Sequence, residues 1–440
     1  MKIDSNFFKK RRKKYLHFDN SIDSLKIFNY VTNPTKIQSH AFFPFIHFDV
    51  KINKIRKSND KKNIETILKI RPIKYASHID SHIYSYYSHL LSEHYEKLIS
   101  EENIHDSILA FRKLQGSPNN IHFAKNVFDE IKNQSTCAVI CLDVKSFFDE
   151  LDHSLLKTAW KKTLKVNELP KDHYQVFKSI TKYSYVYRDE ILSQLGLNKN
   201  LKLDGMKRLC TSKDFRVKIR NKGLINVNSE QKGIPQGSPI SALLSNIYMI
   251  DFDKFTSNLL NEIDGKYYRY CDDILIICPI KEYRSVLLKV IKRIKRLKLE
   301  IQESKTKISI FNEGVIQGNN QLQYLGFTFD GKQILLRHSG LAQYSHKSAK
   351  AIRMSYRKLV RINSSRLQRN KPNLTFNKKH IYRRFSYIGK RNYISYALRA
   401  SKIMEESAIK KQIKPHWKRI KKTISYYEGL YKDDMSNTSQ

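Results

Sequence analysis

Two carboxylates side by side, Asp272 and Asp273, lie between the polar Tyr267-Tyr268-Arg269 and the apolar run Ile274-Leu275-Ile276-Ile277. Neither can be buried unpaired, because desolvating an ionised carboxylate costs far more than folding can spare, so a cation is expected beside them. The apolar run is short, β-branched and bounded by Asp264-Gly265 and Pro279, which predicts a buried strand. With residues 267–270 as partner strand, the acidic pair falls in the hairpin turn, at one end of a sheet. A second acidic strand end stands far upstream, where Ala138-Val139-Ile140-Cys141-Leu142 runs into Asp143, followed by Val144-Lys145-Ser146-Phe147-Phe148-Asp149. Three carboxylates converging at strand ends can hold two divalent cations roughly 4 Å apart, the arrangement used for in-line phosphoryl displacement. Hard oxygen donors suit Mg²⁺, with substrate phosphates completing its shell.

The elements that must position these acids read as alternating helices and strands. The spacing of Ile79, Ile83, Tyr86, Tyr87, Leu90, Leu91, Tyr95 and Leu98 predicts a helix within residues 74–99. Phe111 to Pro118 reads as strand then turn, and its Arg112 and Lys113 could clasp a triphosphate or simply line a solvated edge. After Asp143 a helix opens near Ser154, capped by Asp152 or Ser154, with Asp149 structural and His153 a hydrogen-bonding group. Residues 211–228 alternate (Phe215, Val217, Ile219) as a strand and hairpin would. Gly233-Ile234-Pro235-Gln236-Gly237-Ser238-Pro239 is a rigid turn feeding an apolar helix over 240–255; its glycines permit close approach of backbone to a ligand. Residues 287–299 form a basic amphipathic helix, Glu303-Ser304-Lys305-Thr306-Lys307 leads to a strand at 308–310, and 323–329 reads as a strand with Gly326 at a close backbone approach.

The chain has 440 residues, 40% of them hydrophobic, enough to bury a large core in two or three lobes. A formal net charge of +41 makes a polyanion the natural partner, and nucleic acid is favoured over a membrane. Cys137, Cys141, Cys210, Cys271 and Cys278 show no metal-ligand spacing and read as reduced core thiols of a cytoplasmic protein. No apolar stretch suits a signal peptide or a membrane span. Residues 1–70 mix the basic run Lys9-Lys10-Arg11-Arg12-Lys13-Lys14 with aromatics, as either a solvated tail or an arm gripping structured RNA. Beyond about residue 342 basic residues dominate, helical spacing prevails and aromatics are interleaved, a composition that can track a duplex backbone.

Taken in order, Leu142 to Asp149, Gly233 to Pro239, Tyr270-Cys271-Asp272-Asp273, Glu303-Ser304-Lys305-Thr306 and Tyr324-Leu325-Gly326 resemble the successive palm motifs of the reverse transcriptases, over about residues 70–340. The likeness is to the bacterial branch of group II intron, retron and antiphage-defence enzymes. It implies an α+β right hand: a basic N-terminal extension (1–70), fingers (71–140), a palm of antiparallel sheet plus helices (141–340, with a fingers insertion about 160–230), and an α-helical thumb (341–440). It further implies that Asp143, Asp272 and Asp273, with Val144, hold two Mg²⁺ ions and that Lys305 protonates the leaving pyrophosphate. By the same resemblance Phe148 excludes a 2′-hydroxyl and so favours dNTPs, Gln236 and Gly237 contact the incoming nucleotide or template, and Arg112 contacts the triphosphate.

The expected partners are a structured noncoding RNA template, dNTPs and the cDNA product, with a homo-oligomer open and no membrane. The expected role is antiphage defence, ahead of a retron or group II intron role. An RNA polymerase, or a maturase-like splicing factor with a vestigial palm, is the rival; Phe148 and the intact acids argue against each. Cys271 departs from the small or aliphatic residue usual there. No Cys/His-rich endonuclease segment follows the thumb, so complete intron mobility is not expected. Residues 1–70 fit no motif, and recognition of a dedicated RNA is expected there.

Overall fold

A computed structural model describes residues 3–11, 13–57, 64–198, 205–318 and 321–437. Arg12 of the N-terminal basic run lies outside them. The fold is mixed α+β and divides into two compact units, Met1–Arg112 with Ile140–Lys307, and Lys113–Val139 with Ile308–Gln440.

In the first unit, β1 (Phe45–Lys57) and β2 (Ile64–Tyr75) form a long antiparallel hairpin with Ile46 opposite Tyr75. Strand β3 (Cys137–Asp143) enters the unit at Ile140. Strand β4 (Ser184–Tyr187) runs parallel to β1 and β5 (Asn226–Val227) antiparallel to β4, giving the order β2-β1-β4-β5. Strands β6 (Lys266–Tyr270) and β7 (Asp273–Cys278) are the hairpin expected from the sequence, with β7 beside β3. Ile274 through Cys278 are all buried, so β7 has both faces covered, and each such aliphatic side chain contributes about 1.5–3 kcal/mol of burial.

The N-terminal segment is folded. Asp4, Asp23 and Asn33 cap helices Ser5–Lys9, Ser24–Val31 and Pro34–Gln38. Phe8 is buried against the rings of Phe28 and His82, and the Asp19 carboxylate accepts the amides of His78 and Ile79 at 3.0 and 2.9 Å, at the start of helix His78–Glu101. Phe8, Phe18 and Phe45 are core, which removes the solvated-tail reading; β2 also runs through the boundary expected at residue 70.

The second unit holds β8 (Lys307–Asn312) from Ile308 onward, paired antiparallel with β9 (Val315–Ile316), and the meander β10 (Leu322–Tyr324), β11 (Phe327–Phe329) and β12 (Ile334–Leu336). Helices His338–Leu367, Lys378–Phe385, Tyr393–Ile403 and Ser407–Asn437 follow, and Ile352, Ile381, Phe385, Ile420 and Ile424 form a core among them.

Several local expectations are corrected. Residues 215–220 are a π-helix rather than a strand: Phe215 and Ile219 are buried while Val217 is 50% exposed, a four-residue spacing that alternation masked. Residues 111–118 make bends, with Phe111 at φ +62°. The run 323–329 is two strands, because Leu325 and Gly326 both have positive φ and turn the chain as a two-residue hairpin. The helix expected over 240–255 is two, Ser241–Tyr248 and Ile250–Asn261. Among the described residues no helix is long and apolar enough to cross a membrane.

Candidate active site

Asp143 is the last residue of β3, and its neighbour Val144 donates its amide to the Asp272 carbonyl at 3.1 Å. This bond ties the upstream acidic strand end to the β6–β7 turn. On the other side, Lys145 donates to the Glu300 carbonyl at 2.9 Å and Gln302 to the Asp143 carbonyl at 2.8 Å, so the Asp143 backbone is held from both flanks. The Lys305 ammonium bonds the Asp143 carboxylate. That ion pair serves Asp143; Asp272 is half-buried and Asp273 exposed, so burial does not demand the cation expected beside that pair. Asp273 lies close enough to β3 that, after burial, its charge helps push the Cys141 thiol up to about 12.

Among the described residues, no three His, Cys, Asp or Glu side chains are grouped as an ion would need. The donor set itself fits a hard divalent cation: carboxylate oxygens at adjacent strand ends, one of them already engaged by a cation.

The turn Gly233–Pro239 packs into this region through its backbone. Gly233 and Ile234 donate to the carbonyls of Leu151 and Phe148 at 2.8 and 2.9 Å, and Lys74 donates to the Gln236 carbonyl at 2.8 Å. Gly237, at φ +116°, lies so close to β2 that a Cβ would stand 2.7 Å from the Lys74 carbonyl oxygen. His153 donates Nε2–H to the Gly233 carbonyl at 2.8 Å, and burial lowers its pKa, so it is neutral at pH 7. Asp152 caps the helix His153–Leu164, as expected. Phe148, Gln236 and Gly237 therefore belong to one backbone-linked cluster.

Arg112 does not join it. Its guanidinium grips the Glu96 carboxylate with Nε–Oε1 3.1 Å and Nη2–Oε2 2.7 Å, and also donates to the carbonyls of Ile108 and His105. With its side chain 5% exposed it is committed to the fold. Lys74, which the sequence placed at the start of a helix, is the next-to-last residue of β2 instead, since Pro72 suits a strand of this kind better than a helix interior. Its ammonium lies over the rings of Tyr183 and Tyr185 at 5.3 and 5.4 Å; burial lowers its pKa and the Asp149 charge opposes that.

Sequence reasoning also missed a buried ion pair beneath the acidic turn. Arg269 and Asp253 are both fully buried, with Nε–Oδ1 2.7 Å and Nη2–Oδ2 2.6 Å. Arg269 Nη1 donates to Asn246 Oδ1 at 3.0 Å and to the Cys271 carbonyl at 3.2 Å, while the Tyr267 hydroxyl donates to Asp253 at 2.6 Å. Cys271 is a non-glycine at φ +61°, so the guanidinium braces a residue in the left-handed region between strand and acids. The available signal was an arginine inside a strand otherwise bound for the core, which must be paired.

Residues 55–329 match the family described as reverse transcriptase (RNA-dependent DNA polymerase). The chain belongs to that family. The match begins near the end of β1 and takes in β2, the acidic turn and every motif quoted above. A search of curated proteins finds no match. Among solved structures, an apo telomerase from Candida tropicalis, truncated of its C-terminal domain, is similar at 12% identity and TM-score 0.43, covering 73% of this chain and 63% of its own. A Candida albicans telomerase in complex with a TWJ fragment of telomeric RNA is similar at 13% identity and TM-score 0.38, covering 75% and 54%. This reverse transcriptase family member thus spans less than two thirds of those telomerase chains.

Proposed function

We propose that this protein is an RNA-templated DNA polymerase that extends a primer 3′-hydroxyl with dNTPs. The observation that carries the reading is the Val144 to Asp272 backbone bond, 3.1 Å, which sets Asp143 at the strand end beside the Asp272–Asp273 turn. Asp143, Asp272 and Asp273, with the Val144 carbonyl, would hold two Mg²⁺ ions; when bound, these supply the charge that lowers the primer hydroxyl's pKa and neutralises the departing pyrophosphate. The protein's own part is positioning, since no covalent intermediate is needed. Phe148, fixed through its carbonyl to Ile234, excludes a 2′-hydroxyl. Gln236 and Gly237 present backbone to the nucleotide or template. Lys305 carries the proton that the leaving pyrophosphate takes.

Asp272→Ala and Asp273→Ala are expected to abolish dNTP incorporation on an RNA template while leaving RNA affinity within about twofold; retained incorporation would refute the assignment. Phe148→Ala is expected to admit NTPs.

The narrower reading is a cytoplasmic bacterial enzyme copying a structured noncoding RNA in antiphage defence, with retron-type or group II intron-type copying as the alternative. Arrangement as fingers, palm and thumb belongs to the same proposal. The resemblance of the motifs supports it, and sequencing the nucleic acid that co-purifies with wild type and with the Asp variants tests it. A copied partner RNA with matching cDNA, lost in the variants, is the expected result.

A further inference from the structure

The sheet β2-β1-β4-β5 has two unlike faces. One sends Ile46 and Val186 into a core with Phe18, Ile191, Leu192 and Phe215. On the other, β1–β4 pairing sets His47 beside Tyr187 and Phe45 beside Tyr185, and β1–β2 pairing sets His47 beside Lys74. Tyr185 and Tyr187 share this face because side chains alternate along a strand, and Tyr183, just before β4, continues the row through its ring contact with Tyr185. Their rings form a row, with centroids 6.1 Å apart for Tyr183–Tyr185, 5.6 Å for Tyr185–Tyr187 and 4.9 Å for His47–Tyr187. Exposure rises outward along it: Tyr183 is buried, Tyr185 intermediate and Tyr187 39% exposed.

We infer that this face is a stacking ledge for the unpaired RNA template as it approaches the active site. Three observations favour that occupant. The ledge is continuous with the site, because the Lys74 against its inner rings bonds through its backbone to Gln236 and packs against Gly237. Its charge suits a polyanion: the Lys74 ammonium lies over Tyr183 and Tyr185, Lys51 is exposed on the same face of β1, and of the two nearby acids Asp49 bonds to His47 at 3.0 Å while the charge of Asp149 acts on Lys74. The ring spacing suits single strands. Residues two apart on a strand stand about 6.8 Å apart, about twice the separation of stacked bases, so neighbouring rings take bases splayed from each other rather than a duplex. Tyr187, backed by His47, is the ring open enough to take a base face, and Tyr185 supports it from inside. Aromatic rings over a cationic groove bind single strands with little sequence preference.

The inference rests on the polymerase reading, and the test separates the two. Binding is measured with enzyme carrying Asp272→Asn and Asp273→Asn, so that no turnover is required. Two RNA-template/DNA-primer duplexes are compared, one blunt at the template 5′ side and one with a five-nucleotide template overhang. Tyr187→Ala is expected to weaken overhang binding about tenfold while leaving the blunt duplex unchanged. Tyr187→Phe restores affinity because it keeps the ring, and 5-iodouridine in the overhang crosslinks to Tyr187. Equal losses on both duplexes, no loss on either, or a crosslink confined to residues outside β1 and β4 would overturn the ledge. An overhang effect in a wild-type protein that incorporates no dNTP would instead leave the ledge standing and remove the polymerase reading.

Discussion

Replacing Arg269 with methionine isolates what the buried pair does for the acidic turn. The substitution leaves the Asp253 carboxylate fully buried with the Tyr267 hydroxyl as its donor, and strips the Cys271 carbonyl of the guanidinium that braces it. Breaking a buried pair from one side costs about 3–5 kcal/mol, because a desolvated charge is left uncompensated. At about 2–4 °C per kcal/mol for a large domain, the midpoint of thermal unfolding should fall by about 6–20 °C. Differential scanning calorimetry on the full chain measures it. Arg269→Met with Asp253→Leu removes both charges and should recover more than half of that loss, since the remaining cost is the orphaned Asn246, Tyr267 and Cys271 groups. The double variant should nevertheless incorporate dNTPs poorly at a temperature where it is fully folded, because Cys271 at φ +61° has lost its brace. A single variant that loses less than about 1 kcal/mol, or a double variant as unstable as the two single losses summed, would refute the reasoning.

Gly237→Ala places a Cβ 2.7 Å from the Lys74 carbonyl at φ +116° and should lower incorporation at least tenfold, whereas Gly223→Ala, also at positive φ but in open space, should cost only about 1 kcal/mol of stability; steady-state kinetics and thermal denaturation compare them. Arg112→Lys loses the two-pronged grip on Glu96 and should destabilise by about 1–3 kcal/mol with the dNTP KM unchanged, whereas a tenfold rise in KM at unchanged Tm would return Arg112 to the triphosphate. Burial, then the charge of His78, pushes His17 down to about 3. The unfolded chain therefore takes up a proton below about pH 6.5 that the fold refuses, and stability falls by about 1.4 kcal/mol per pH unit from there toward pH 3. His17→Asn, which keeps an acceptor for the Phe18 amide, should make denaturation midpoints measured from pH 7 to 5 fall less steeply by that amount.

Much of the site was legible because its signals are local. An apolar run ending in an acid names a strand end, and Asp143 and Asp273 do terminate or begin buried strands. Asp152 announced a cap, and it caps. What was illegible depends on partners distant in the chain. Arg112 looked like a free basic side chain on an edge, and nothing nearby in sequence reveals that Glu96, sixteen residues upstream on a helix, claims it. Lys74 was misplaced because the helical pattern of residues 79–98 was extended back to it, whereas its pairing with His47 makes it strand. By composition the N-terminal aromatics could belong to a solvated tail or to an arm gripping RNA, and only the docking of Phe8 against Phe28 and His82 removes the tail.

Four of the segments expected at the reaction centre share one feature of construction: they are tied by main-chain bonds to another segment of the first unit. Val144 is bound to Asp272, Asp143 to Gln302, Phe148 to Ile234 and Gln236 to Lys74. Phosphoryl transfer without a covalent intermediate draws its rate from positioning and fixed charge, which makes such backbone ties the appropriate scaffold. Side-chain substitutions within these segments leave the ties in place, so an acid can be removed without displacing its neighbours. Substitutions that move the backbone, at Gly233, Gly237 or Cys271, should damage every function of the site together. The division of effects follows from where the hydrogen bonds are made: chemistry is lodged in the side chains, and geometry in the peptide groups that join the segments.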